Sequence, residues 1–175
     1  MGYFLKSERL GFRCWSEEDL LRAQELWGDP SVTALIGGTF TPKMVRSRLA
    51  KEIAQMQASC VQYWPVFLLD DDQHVGCAGL RPYRIEEGVY ELGFHLRRVF
   101  WGQGLAHEAA QAVIDYGFGT DYGFGTLGAH ALFAGHHRAN HASRGLLLKL
   151  GFIHTHEELY PPTGLMHPSY LLRRR

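Results

Sequence analysis

"VFWGQGLAHEA", residues 99–109, runs from the end of an apolar strand pattern through a glycine-rich turn into a helix. Gly102 and Gly104 carry no Cβ, so the backbone there can come close to a bound group. The turn ends where the helix begins, and a helix N-terminus offers free N–H groups and the positive end of a dipole to an anion. A pyrophosphate suits such a place. Two familiar phosphate loops do not fit: G-x-G-x-x-G needs a third glycine where His107 stands, and the hairpins upstream leave no β-α-β unit. No Gly-Lys-Ser/Thr follows either, which removes a Walker loop. Glycines that serve only a tight turn are the alternative, and on this stretch alone both readings stand.

Reading outward, "GVYELGFHLRRVF" (88–100) alternates Leu92, Phe94 and Leu96 on one face with Glu91, Gly93 and His95 on the other. Before it, "YWPVFLLD" (63–70) and "HVGCAGLRPYRI" (74–85) are strand-like runs joined by the polar "DDDQ", a hairpin. Thr41-Pro42 starts a helix whose Val45, Leu49, Ile53 and Met56 recur on one side. Ser16 and Asp19 open an earlier helix that stops near Gly28, after a strand-like "SERLGFRCW" (7–15). Downstream, "GLAHEAAQAVIDYGF" (104–118) is helical, "AHALFAG" (129–135) a strand, and "NHASRGLLLKLGF" (140–152) a short helix closed by Gly151. Two strands around Pro161-Pro162 complete the chain. This order predicts an α/β (α+β) fold, a mixed, mostly antiparallel twisted sheet of about six or seven strands flanked by about four helices. Within it "DYGFGT" occurs twice in succession, at 115–120 and 121–126. A second copy continued as helix would turn its Tyr122 and Phe124 away from the face of Tyr116 and Phe118. The glycines also disfavour helix, so Asp121 to Thr126 reads as a duplicated surface connection of little cost.

With 175 residues, 46% of them hydrophobic and 21% charged, and no composition break, the chain reads as one domain over residues 1–175. Zero net charge supplies no field for DNA or an acidic membrane, and the final "RRR" reads as a solvated end. Three cysteines, an odd number without CxxC, suggest reduced thiols in a cytoplasmic protein. No signal-peptide run and no stretch long enough to span a bilayer is found. His95, His107, His136, His137 and His141 gather around the glycine turn, but neither HExxH nor paired cysteines accompany them, so no metal is expected.

Four blocks in order, "SERLGFRCWSEEDL", "HVGCAGLRP", "YELGFHLRRVFWGQGLAHEA" and "NHASRGLLLKLGF", make the chain resemble a GNAT-superfamily N-acetyltransferase of the RimJ/RimL type over nearly its whole length. The resemblance implies acetyl-CoA as co-substrate. Its pyrophosphate would meet backbone N–H groups from Trp101, Gly102, Gln103, Gly104, Leu105, Ala106 and His107. Its pantetheine arm would lie along the backbone of Phe94, His95 and Leu96 where two strands splay, with Asn140 on the other side. Trp101 stands where the wider superfamily often has Gln or Arg, and Trp is common in this branch.

Such enzymes transfer acetyl directly to an amine. The resemblance gives a backbone N–H near Leu96 as oxyanion donor and Glu91 as a base acting through water. A strand carboxylate facing solvent or an arginine is the other reading of Glu91. The tyrosine many relatives use as general acid is Leu147 in this chain, and Ser143 stands where the RimJ/RimL pattern places a serine. Ser143 then serves the departing thiolate or is a structural hydrogen-bonding group. Tyr160 would flank the acceptor site. An α-amine, with a pKa of about 7.7–8.0 against about 10.4 for lysine, needs less help from a base. That favours a protein N-terminus or a small amino-acid-like amine over a polyamine or an antibiotic. A catalytically idle acyl-CoA-binding protein is the rival that Leu147 keeps open. A homodimer is compatible with the chain.

Overall fold

The computed structural model describes residues 2–119 and 127–174. The first strands, β1 (Leu5–Lys6) and β2 (Leu10–Phe12), are short. α1 (Leu20–Trp27) follows and ends at Gly28, then a single turn, α2 (Pro30–Thr33), capped by Asp29, whose side chain accepts from the Ser31 amide at 2.8 Å. α3 (Pro42–Ser59) begins as its Thr-Pro signal requires, with Thr41 Oγ1 accepting from the Met44 amide at 3.3 Å. Next come the hairpin β3 (Tyr63–Leu68) and β4 (His74–Arg84), then β5 (Val89–Leu96) and α4 (Leu105–Phe118). β6 (Ala131–Gly135), α5 (His141–Lys149), β7 (Ile153–Tyr160) and β8 (Leu165–Arg173) complete the chain.

The strands form one eight-stranded sheet in the order β1-β2-β3-β4-β5-β6-β8-β7, and every pairing is antiparallel except β5 with β6. The count exceeds the six or seven strands expected because β1 has two residues, too few to show alternation. The fifth helix is the four-residue α2.

Alternation along the strands divides the core between the two faces. Trp64, Val66, Ala78, Leu80, Leu92 and Leu96 pack against the alanine-rich side of α4 and the apolar side of α5. Tyr63 and Cys77 face the other way, onto Trp15, Leu26 and Trp27 of the α1 side and Val45 and Leu49 of α3. β5 therefore separates two chemically different compartments. Leu92, Phe94 and Leu96 look toward α4, whereas Glu91, Gly93 and His95 look toward α1 and α3.

One feature of the sheet positions the site. β5 and β6 are in register only from Val89–Ala131 to Glu91–Phe133. Beyond that β5 continues to Leu96 and β6 to Gly135, each still paired on its outer edge with β4 and β8 respectively. The sheet thus opens into a V between them, as expected from the resemblance. α4 itself ends at Phe118 with Gly119 at φ 77°, so the first copy of the doubled phrase begins as the last turn of a helix. The second copy, Asp121 to Thr126, lies outside the described residues.

Candidate active site

The V opens into a cleft of about 1000 Å³ lined by β5, the glycine turn, the start of α4, the end of β6, and α5. A single turn, Arg98–Phe100, ends β5 and hands the chain to the glycines. Gly102 adopts φ 74° and Gly104 φ 77°, conformations in which an L side chain is strained. A Cβ on Gly102 would meet nothing within 4 Å. The space there is open, and conformation rather than protein packing calls for a glycine. Gly104 is the N-cap of α4 and has no side chain to satisfy the amides of Leu105, Ala106 and His107. Those first-turn N–H groups have no intrahelical acceptor and lie at the cleft wall. An uncapped helix start opening on empty space fits a diphosphate, so this part of coenzyme A is accommodated by the residues present.

The turn is braced from behind. Glu108 accepts from the Ser7 hydroxyl, the Arg9 amide and Arg9 Nε, each at 2.7 Å, and Arg9 Nη1 reaches the Gln103 carbonyl at 3.2 Å. Trp101 is half exposed, and its indole N–H donates to the Leu96 carbonyl at 2.8 Å, tying the turn to the end of β5.

Of the residues expected from sequence, Glu91, Phe94, His95, Leu96, Trp101, Gly102, Gly104, Leu105, Ala106, His107, Asn140 and Ser143 all line this cleft. Gln103 does not. Its side chain turns back to donate to the Val99 carbonyl at 3.0 Å, so only its backbone belongs to the turn. Asn140 caps α5, its Oδ1 accepting from the Ser143 amide at 3.0 Å. The Ser143 hydroxyl makes no hydrogen bond to protein among the described residues. Leu147, where many relatives carry tyrosine, is 1% exposed yet contributes to the cleft wall. Among the described residues no group of His, Cys, Asp or Glu is arranged to hold a metal.

Three residues of the Glu91 environment were not legible as site residues. Arg81 is the cross-strand partner of Glu91 on β4, and the Tyr63 hydroxyl donates to Glu91 Oε1 at 3.2 Å. Glu52 of α3, 1% exposed, pairs with Arg81 and with Arg48 Nε, the latter at 2.8 Å, and its other oxygen accepts from the Tyr63 amide at 2.9 Å. The Arg81 guanidinium lies over the Tyr63 ring, 4.1 Å from its centroid. Burial raises the Glu91 pKa above the ordinary carboxylate value, against the pull of Arg81 and the Tyr63 hydroxyl. The Tyr63 phenol is pushed well above its usual range, by burial first and then by Glu91, so it stays a hydrogen-bond donor. Glu91 Oε2 has no protein partner among the described residues and is not sealed from solvent. The arrangement is a half-buried carboxylate, held on one oxygen and free on the other, beside a cleft fitted for a diphosphate-bearing chain.

Comparison with known proteins agrees with this geometry. Residues 9–153 match the model of the acetyltransferase (GNAT) domain. The uncharacterized N-acetyltransferase p20 of Bacillus licheniformis is 32% identical over 116 residues, a stretch that spans 65% of this chain and 65% of that protein. A GNAT-family acetyltransferase from Bacillus anthracis superposes with a TM-score of 0.80 at 24% identity, covering 97% of each chain. RimL, a ribosomal L7/L12 α-N-protein acetyltransferase, superposes with a TM-score of 0.79 at 14% identity, covering 96% of this chain and 92% of its own. With the family model spanning most of its length and the sheet splayed above an uncapped helix start, the chain belongs to the GNAT acetyltransferase family.

Proposed function

We propose that the protein is an acetyl-CoA-dependent N-acetyltransferase that acts on a primary amine, either the α-amine of a protein N-terminus or a small amine that resembles one. The observation that carries this reading is the V between β5 and β6, which runs directly into the uncapped first turn of α4. Acetyl-CoA, when bound, supplies an acyl group already activated as a thioester. The residues of this chain do the rest. Backbone amides from Gly102 to His107 hold the diphosphate, whereas the Trp101 amide, expected among them, already donates to the Arg98 carbonyl at 3.1 Å. The open edge of β5 from Phe94 to Leu96 takes the pantetheine arm by strand-like hydrogen bonding, with the amide near Leu96 polarising the carbonyl.

Glu91 Oε2 accepts a proton from the amine, directly or through one water. Its raised pKa suits the work, because a base is most effective when its pKa approaches the working pH. Tyr63 orients the carboxylate by donating to its other oxygen, while Arg81, its cross-strand neighbour, is held by Glu52. Ser143, with its hydroxyl free of protein partners, donates to the thiolate in place of the absent tyrosine. The whole apparatus sits on one domain. The three cysteines Cys14, Cys60 and Cys77 are unpaired, which favours a reducing, cytoplasmic setting. No helix among the described residues is long and apolar enough to cross a membrane.

A panel of amines assayed by thiol release from acetyl-CoA tests the activity, with α-amino amides expected ahead of spermidine. Glu91→Gln and Ser143→Ala should each lower kcat by about 10²- to 10⁴-fold while leaving acetyl-CoA affinity within a few-fold. Unchanged rates in both variants would remove these assignments.

A further inference from the structure

His95 was expected to contribute only its backbone, yet its ring lies on the opposite side of β5 from α4, in the compartment of Glu91 and Tyr63. The indole N–H of Trp27, from α1, donates to His95 Nδ1 at 3.2 Å. An indole nitrogen can only donate, so Nδ1 must present its lone pair and the ring proton must sit on Nε2. The Cys77 thiol on β4 approaches the same Nδ1 at 3.8 Å, and burial pushes its pKa up to about 12, so it too keeps its proton and donates. Nε2 has no protein partner among the described residues and, unlike both nitrogens of His74, is not sealed from solvent. It opens on the cleft.

The charged groups around the ring oppose a second proton. Arg48 from α3 and Arg81 from β4 stand on the same wall, and Glu52 and Glu91 are each engaged with arginine or tyrosine. Burial, then Arg48 and Arg81, hold the His95 pKa well below that of a free imidazole. Gly93, between Glu91 and His95 on β5, leaves room for Tyr63, with which any Cβ would collide. The floor of this compartment is therefore a row of Glu91, Tyr63 and His95.

Resting on the function proposed above, we infer that Trp27 locks His95 as the Nε2–H tautomer, a fixed hydrogen-bond donor for an oxygen of the acceptor. The acetylated amine then carries a carbonyl or carboxylate beside its nitrogen, as an N-terminal residue or an amino acid does. A base role is closed to His95, because one nitrogen is occupied by donors and the other already holds the proton. Glu91 supplies the acceptor oxygen for the amine, and His95 the donor for its neighbour. A polyamine has no oxygen to offer the donor.

Two-bond proton–nitrogen correlation spectra of the free protein test the tautomer without requiring activity. His95 should read as Nε2–H and should not titrate between about pH 5.5 and 8, where exposed histidines do. In Trp27→Phe the titration or the second tautomer should return. An Nδ1–H tautomer, or titration of wild-type His95 in that range, would overturn the lock. With coenzyme A bound, L-alaninamide should shift the His95 Nε2–H resonance and propylamine should not. No shift with L-alaninamide overturns the donor role. Kinetically, His95→Ala should lower kcat/KM about tenfold more for L-alaninamide than for propylamine, and His95→Gln, which keeps an N–H, should recover most of the difference. Equal losses for the two amines overturn the inference. Failure to bind coenzyme A would instead strike the proposed function and leave the tautomer result standing.

Discussion

His74 is a buried imidazole poorly satisfied by the described residues around it, and that defines a pH window for stability. It opens β4 and is 4% exposed, with its ring 5.6 Å from Trp15 and 5.4 Å from Phe67, centroid to centroid. Among the described residues neither ring nitrogen makes a hydrogen bond of ordinary geometry, although the Gly76 backbone lies near and Arg97 Nη1 donates to the backbone carbonyl of the same residue at 2.9 Å. Burial lowers its pKa from 6.5 to about 4. Arg97 and Arg22 add to the shift, while the Gly76 backbone and Asp19 oppose it less strongly. Above about pH 6.5 neither the folded nor the unfolded chain protonates this group, and stability is unaffected. As pH falls below that, the unfolded chain takes up a proton that the folded one refuses. Stability therefore drops by up to about 1.4 kcal/mol per pH unit. The loss amounts to about 2 kcal/mol at pH 5 and levels off near about 3 kcal/mol below the folded pKa of about 4. Asp19, which burial pushes up and Arg13 and Ser16 pull down to about 2, loses its own contribution as pH falls from 3.8 through about 2, so the two windows separate. His74→Leu removes the titrating group and the two orphan nitrogens together. Urea unfolding at about pH 7.5 should place the variant within about 1 kcal/mol of wild type or above it, and at about pH 5 the variant should be ahead by about a further 2 kcal/mol. His95 and the other histidines are common to both proteins and cancel in the difference. Parallel pH dependences for the two proteins would refute the reasoning.

Other perturbations act on the site and its frame. Gly104→Trp forces a large side chain into φ 77° at the N-cap of α4, its Cβ directed at the Arg9 guanidinium that braces the turn, and calorimetry should show micromolar acetyl-CoA binding in wild type and none in the variant. Deleting Asp121 to Thr126 should leave acetyl-CoA affinity within a few-fold, because the cleft lies at the other end of α4; a large loss would give the second copy a role. Glu52→Leu strands Arg48 and Arg81 without their shared carboxylate and should cost about 3–5 kcal/mol in urea unfolding. With Glu91 as the proposed base, ionised to take a proton, kcat/KM should fall as pH drops through its raised pKa, and this acid limb should vanish in Glu91→Gln.

What could be read from the sequence was local. The strand alternation that sets Glu91 and His95 opposite Phe94, the two glycines at positive φ and the Thr41-Pro42 helix start each depend on residues within one or two turns of chain. The single turn α2 was legible by the same rule, since Asp29-Pro30 is a cap followed by proline at the first helical position, but four residues show no periodicity to draw attention to it. What escaped depends on register and on distance along the chain. Arg81 faces Glu91 only because β4 and β5 pair as they do, and a slip of one residue would turn it to the other face. Glu52 reads as a surface charge of an amphipathic helix until Tyr63 and two arginines close over it. The most consequential case is His95. The resemblance gives it as a backbone contact to the cofactor arm, and Trp27, 68 residues earlier in the chain, decides where the proton of its ring sits. An imidazole able to accept at the cleft would compete with Glu91 for the amine's proton. With Nδ1 occupied, His95 leaves the proposed base role to Glu91. The Trp27 contact, remote from the glycine turn, thus bears on the roles of both Glu91 and His95.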